Sequence, residues 1–324
     1  MNLAELVTLF PMQANTSVPD WILGHYKRYS ISYANGMSDL HTQVSWMQSR
    51  NFTIDVRMPL EADQLAVKAI ADYTPDELQQ LAKYDGWLAK NDWDGSILSW
   101  RDAEVSLQLH NRWTEPAILK RVGNCMVEFC PSDAYVEDWR LQPSKPGPLI
   151  GLYLLEEREL ATAQVRHKGG GLIICGDYAA LAIGRAPDAD FVFGEKPLTQ
   201  WVADAAGDIP KLTQLLDVET SVAKGDMTNG FTVSLSTKPL RVGQSLMPLD
   251  GFEAPVWLNH EKLGEIQIIK QQLIIDGIAC ERLFTIDTME SSVAFPQATG
   301  FTTASADWYE QESSVLARYL DVVV

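Results

Sequence analysis

Histidine, cysteine and clustered basic residues are scarce in this 324-residue chain, and each scarcity argues against a class of function. The five histidines are His25, His41, His110, His167 and His260. None pairs with another at the i, i+4 spacing of a helical metal site or the i, i+2 spacing of a strand site. The four cysteines stand at 125, 130, 175 and 280 without a C-x-x-C pair. Cys125 and Cys130 are an odd number of residues apart, which puts them on opposite faces of a strand. Free buried thiols in a reducing compartment are the expected state. Lys and Arg total 26 against 43 Asp and Glu, a formal charge of −17. With no basic footprint, neither nucleic acid nor an anionic membrane surface is expected as a partner. No apolar run approaches the roughly 18 to 20 residues of a membrane helix. The opening "MNLAELVTLFPMQ" has no basic leader, so no signal peptide is expected and the location reads as cytoplasmic. A G-x-S-x-G elbow is missing. "HKGGGLIICG" lacks the G-K-[ST] ending of a phosphate loop and precedes a strand. No cofactor is expected.

What is present is alternation. Hydrophobic residues make up 46% and charged residues 21%, as in a soluble protein with a substantial core. Period-two stretches recur: "NCMVEFC", "GLIICGDYAALAIGRA", "FTVSLST", "GEIQIIKQQLIIDGIACERL". Gly176-Asp177 and Asp276-Gly277 sit between apolar runs as hairpin turns. Helix signals are few. "YTPDELQQLAKYDG" has Thr74 as N-cap, Pro75 at the first helical position, Glu77 to complete a capping box and Gly86 as the stop. A second short helix is expected over 198–207. Many short strands and one or two short helices predict an all-β, mainly antiparallel fold of barrel or sandwich type.

The Pro-rich stretch 142–149 has no periodicity and reads as a linker. The expected organisation is an N-terminal arm over 1–20, a first barrel over 21–142, a linker over 143–149, and a second barrel with a C-terminal extension over 150–324. The flanking segments look alike. "SWMQSRNFTIDVRMP" and "LIICGDYAALAIGRAP" each give strand, polar turn, aromatic, strand and arginine (Arg57 or Arg185), as an internal duplication would.

"VSWMQSRNFTIDVRMP" also resembles the Hri1-like proteins of fungi and bacteria, whose pattern is Trp-Leu-Gln, turn, Asp-Leu-Arg-Ile-Pro. Trp46, Gln48, Asp55, Arg57 and Pro59 match it. "LAKYDGW", "SWRD", "AYVEDWR", "GDYAALAIGR" and "FTVSLSTKPLRVGQ" follow in order, so the likeness spans residues 20–247. It implies two calycin-like (lipocalin-like) β-barrels in tandem and no established activity. Ala180 is smaller than the pattern expects, the chain beyond 247 exceeds it, and no G-x-W occurs. The chain is therefore not a standard lipocalin.

On the second strand of the opening hairpin, Phe52, Ile54, Val56 and Met58 share one face, and Thr53, Asp55 and Arg57 the other. Outward, Asp55 and Arg57 would form a weak surface pair; inward, they would anchor a carboxylate or carbonyl in a cavity. Seven tryptophans fall in the first 140 residues, Trp46, Trp100, Trp113 and Trp139 among them, to plug a barrel or line a pocket. The candidate ligand-binding set is Trp46, Asp55, Arg57, Trp100, Trp139 and Arg185. The expected function is non-enzymatic: binding of a small apolar ligand in a barrel cavity, or of a protein partner. The rival is an enzyme with Asp55 and Arg57 as acid-base and anion-anchoring groups.

Overall fold

The structure, a computed structural model, describes residues 1–320 apart from 15–17, 110–114, 188–193, 195, 261–263 and 301. The candidates His110 and Trp113 lie outside the described residues.

The first sheet holds β1 (Gly24–Tyr33), β2 (Ser38–Asp39), β3 (Thr42–Gln48), β4 (Phe52–Pro59), β5 (Asp85–Trp93), β6 (Ile97–Ser106), β7 (Ala117–Val122), β8 (Cys125–Phe129) and β9 (Tyr135–Leu141). Short β2 is an appendage on β1. From β3 onward each strand pairs antiparallel with the next. β9 then returns to β1, from Tyr26↔Leu141 to Tyr33↔Tyr135, and closes an eight-stranded barrel.

The second sheet holds β10 (Gly147–Glu159), β11 (Val165–Lys168), β12 (Gly170–Cys175), β13 (Tyr178–Ile183), β14 (Glu219–Asp226), β15 (Gly230–Ser236), β16 (Val256–His260), β17 (Gly264–Ile275) and β18 (Ile278–Val293). Its order is β15-β14-β13-β12-β10-β18-β17-β16, with β11 also on β10. Among the described residues no pairing joins β15 to β16. Beyond residue 247 the chain adds β16, β17 and β18 to this sheet: β18 runs along β10 from Gly147↔Val293 to Glu159↔Cys280.

Among the described residues five α-helices, rather than one or two, accompany the strands: α1 (Leu3–Leu9), α2 (Pro75–Leu81), α3 (Leu198–Asp204), α4 (Ile209–Leu216) and α5 (Thr303–Leu320). α2 starts as its capping box dictates: the Thr74 side chain accepts from the Glu77 amide, and the Glu77 carboxylate accepts from the Thr74 amide. It ends at Leu81, not at Gly86, which lies inside β5. The stretch 1–20 is more than an arm, because Leu3, Leu6 and Val7 of α1 are buried against one face of the second sheet among Ile150, Leu172 and Phe284.

The other face of that sheet packs on the barrel, with β12 beside β3, β13 beside β4, and β14 across β4 and β5. Phe52, Ile54, Val56 and Met58 point out of the barrel into this contact and are buried there. Close approaches here exclude side chains: a Cβ on Gly86 would lie 2.7 Å from Thr220, and one on Gly171 2.8 Å from Leu88. Both expected hairpin turns form. Gly176 links β12 to β13 with φ +59°, and Asp276 and Gly277 link β17 to β18 with φ of 51° and 80°. The stretch 142–149 is shorter as a connector than expected, since β10 begins at Gly147. It is also pinned: the Asp177 amide donates to Ser144 Oγ at 2.9 Å and the Lys145 amide to Asp177 Oδ2 at 3.0 Å.

Candidate functional site

Strand parity decides what the barrel encloses. With β4's apolar face turned outward, Thr53, Asp55 and Arg57 point inward. Their cross-strand partners face the same way: Gln48, Trp46 and Val44 on β3, Ala89, Trp87 and Asp85 on β5. Asp55 is 2% exposed, and Arg57 Nε donates to its Oδ1 at 2.7 Å. On the far wall Glu128 of β8 lies opposite Glu137 of β9. Glu128 accepts from Trp139 Nε1 at 3.0 Å and from the Tyr135 hydroxyl at 3.3 Å. Arg28 Nη1 donates to Glu137 Oε1 at 2.7 Å.

Burial governs the electrostatics. It pushes the Asp55 carboxyl up to about 6 despite Arg57 beside it, with Asp85 and Glu137 adding to the rise. Burial, then the facing charge of Glu137, lifts Glu128 to about 8. For Arg57 burial acts to discharge the guanidinium, but Asp55, Glu137 and Asp85 outweigh it and hold the proton on.

Tryptophans take up the rest of the space. Trp46 meets Trp139 edge-on at 5.3 Å and Trp100 at 6.0 Å, and Trp87 meets Trp100 at 6.1 Å. Trp46 Nε1 is satisfied internally by Gln48 Oε1 and Thr53 Oγ1, both at 3.0 Å. The cavity left among these groups is about 20 Å³, room for about one water molecule. The structure thus brings Trp46, Asp55, Arg57, Trp100 and Trp139 together, in a filled interior. Arg185 is elsewhere. It donates to the carbonyls of Ser106, Leu107 and Leu215, bolting the first barrel's β6 end to the end of α4.

A larger space lies beside the second sheet. A cleft of about 670 Å³ runs between the β14–β15 side and the end of β17, with Ile70 and Tyr73 from the segment before α2 on its near wall. Leu240, Leu246, Met247, Leu273 and Ile183 supply apolar lining; Glu157, Arg166, His167, Glu219, Arg241 and Arg282 supply charge. Arg282 Nε donates to Glu157 Oε2 at 2.8 Å, and Arg241 Nε to Glu219 Oε1 at 2.8 Å. His167 Nδ1 lies 2.8 Å from the Gly184 carbonyl. Sequence reasoning missed these residues, which come from widely separated segments. The available signal was a charge on the inward parity of an apolar strand, as with Glu157 in "LYLLEERE" and Arg282 in "ACERLF".

Among the described residues, no cluster of three or more His, Cys, Asp or Glu could hold a metal ion, and no helix is long and apolar enough to cross a membrane. Comparison with known proteins finds no matching family model, curated relative or solved structure.

Proposed function

We propose that this chain is a cytoplasmic binding protein of the Hri1-like group, holding a small amphipathic molecule in the cleft of its second sheet. The observation that carries the reading is the contrast in space. The cleft, about 670 Å³, falls in the range of about 300–1,000 Å³ typical of small-molecule sites, whereas the barrel interior is about 20 Å³. The site therefore moves from the first barrel, where the tryptophans pointed, to the second sheet. An enzyme built on Asp55 and Arg57 finds no support in an interior with that little room.

The kinship proposal rests on the β3–β4 hairpin residues Trp46, Gln48, Asp55, Arg57 and Pro59. We read the second sheet as a calycin-like unit left open between β15 and β16. In support, β3–β4–α2–β5–β6 and β12–β13–α3–α4–β14–β15 run in the same order. The reducing location is supported by four free cysteines, three of them buried.

Thr213 is exposed on α4 at the rim of the cleft. An environment-sensitive naphthalene dye should bind the wild-type protein saturably at one site, and Thr213→Trp should abolish that binding without shifting the melting temperature. Equal dye binding by both proteins would reject the cleft. A protein partner is the second reading, favoured by the edge strand β16, whose Val256, Trp257 and Leu258 are all exposed. Trp257→Lys would remove such an interaction and leave dye binding intact.

A further inference from the structure

The floor of the cleft carries more positive than negative charge. Glu157 is buried at 2% exposure and stands between two arginines: Arg282 Nε at 2.8 Å from its Oε2, and Arg166 Nε at 3.7 Å from its Oε1. The other buried or half-buried acids on the wall have cations of their own, Glu219 with Arg241 at 2.8 Å and Asp217 with Lys238 at 2.5 Å. Asp276 is exposed in the β17–β18 turn, and Lys68, the remaining Lys or Arg of the lining, is paired with Glu77 at 2.6 Å. One carboxylate thus faces two guanidinium groups in a setting where unmatched charge is expensive.

A second observation marks where the excess is felt. Arg282 is only 7% exposed, and its Nη1 is buried without a hydrogen-bond partner. Most of a guanidinium's binding capacity lies in its paired N–H donors. Glu157 engages Nε and leaves Nη1 without an acceptor. Leu246, Met247 and Leu273 line the same cleft as Arg282.

Resting on the cleft as the binding site, we infer that its ligand is an apolar monocarboxylate, whose acid group accepts from Arg282 Nη1 and whose apolar body lies along Leu246, Met247 and Leu273. A single negative charge matches the single surplus positive one; a phosphate dianion would overshoot it, and an alcohol would leave it standing. The reaction is binding only, with no bond made or broken.

Titration calorimetry of the full chain with decanoate, decyl phosphate, decanol and decyltrimethylammonium tests this. Decanoate should bind at least about tenfold tighter than decanol, the scale of one charge-assisted hydrogen bond, and tighter than decyl phosphate, with the cation excluded. Arg282→Gln should bring decanoate down to the level of decanol. Should Arg282→Gln not fold, Glu157→Gln serves instead: it releases both arginines and should tighten decanoate binding while leaving decanol unchanged. Equal affinity for decanol and decanoate overturns the carboxylate while the cleft stands, as does Glu157→Gln leaving decanoate binding unchanged or weaker. Decyl phosphate ahead of decanoate overturns it in favour of a dianion. No binding of any of the four by wild type, together with dye binding insensitive to Thr213→Trp, overturns the cleft itself.

Discussion

Arg50, in the tight turn between β3 and β4, grips Glu290 of β18 at two points: Nε to Oε1 and Nη2 to Oε2, both 2.8 Å. A parallel two-point pair fixes orientation as well as distance. The same arginine reaches Asp20 at 2.5 Å, and the flanking Ser49 and Asn51 both donate to Asp287. The turn of the first barrel's hairpin is therefore clasped by the longest strand of the second sheet. Arg50 is buried and Glu290 only partly so, so the full penalty of a buried pair does not apply. Arg50→Ala should cost about 2–3 kcal/mol, and a double-mutant cycle with Glu290→Ala should return about 1.5–3 kcal/mol of coupling. Chemical denaturation of the four proteins measures it; additive costs would mean that the clasp does not join the two sheets.

Gly86 reads in the sequence as the end of a helix, yet the structure puts it in β5 beneath the second sheet. Its Cβ would lie 2.7 Å from Thr220 Cβ and 2.8 Å from Thr237 Cγ2. Neither neighbour is the tip of a long flexible chain, so Gly86→Ala should force the sheets apart and cost about 1–3 kcal/mol. A strand-propensity argument gives the opposite sign, because alanine replaces the more flexible glycine. A gain in melting temperature would show that the contact yields.

Much of the fold was legible because strand alternation is a local signal. The β3–β4 hairpin, both Gly/Asp turns, and the starts of α2 and α3 follow from residues within a few positions of one another. Closure of the first barrel is a pairing between β1 and β9, more than a hundred residues apart, and no local pattern encodes it. The orientation of Asp55 and Arg57 was ambiguous for the same reason. An apolar face can point inward to a core or outward to a cover, and the cover here lies in the second half of the chain. Trp46, Trp100 and Trp139 lie beside Asp55 and Arg57, but packing them together consumes the cavity that a tryptophan-rich barrel suggests. Arg185 pointed to a ligand, whereas its place beside three helix-end and strand-end carbonyls gives it a bracing role. The cleft charges Glu157, Arg166 and Arg282 meet only when β10, β11 and β18 are side by side.

Glu128 makes stability depend on pH. Burial and the charge of Glu137 hold its folded value near 8 against 4.5 in the unfolded chain. A raised acid stabilises fully below the unfolded value and loses that contribution as pH rises through the folded one. Asp55, raised to about 6, acts with the same sign at lower pH. His25 opposes them, since burial lowers it from 6.5 to about 3 and its contribution fades as pH falls below 6.5. Between pH 8 and 6.5 Glu128 therefore dominates, and the melting temperature should climb on acidification. Glu128→Gln mimics the protonated group, so it should be more stable than wild type at pH 8 and nearly flat across that interval. A wild-type profile that falls from pH 8 to 6.5 would refute the assignment.

Asp55 and Arg57 offer the sharpest test of the barrel's inside. Arg57 Nε donates to Asp55 at 2.7 Å, and the two side chains are 10% and 2% exposed. Removing the arginine leaves a carboxylate in a closed interior beside Asp85 and Glu137, all of one sign. The expected loss for Arg57→Ala is about 3–5 kcal/mol, the cost of stranding a buried partner. The stranded carboxylate has an escape that a surface residue lacks: it takes up a proton. The loss should therefore shrink at pH 5 relative to pH 8, as protonation of Asp55 removes the charge that Arg57 had been balancing. Asp55→Asn combined with Arg57→Ala should recover part of the stability at pH 8 and abolish that pH dependence. An outward-facing pair predicts a loss under about 1 kcal/mol, nearly independent of pH. Urea denaturation of the three proteins at the two pH values separates these outcomes, and a small, flat loss would place both side chains in water.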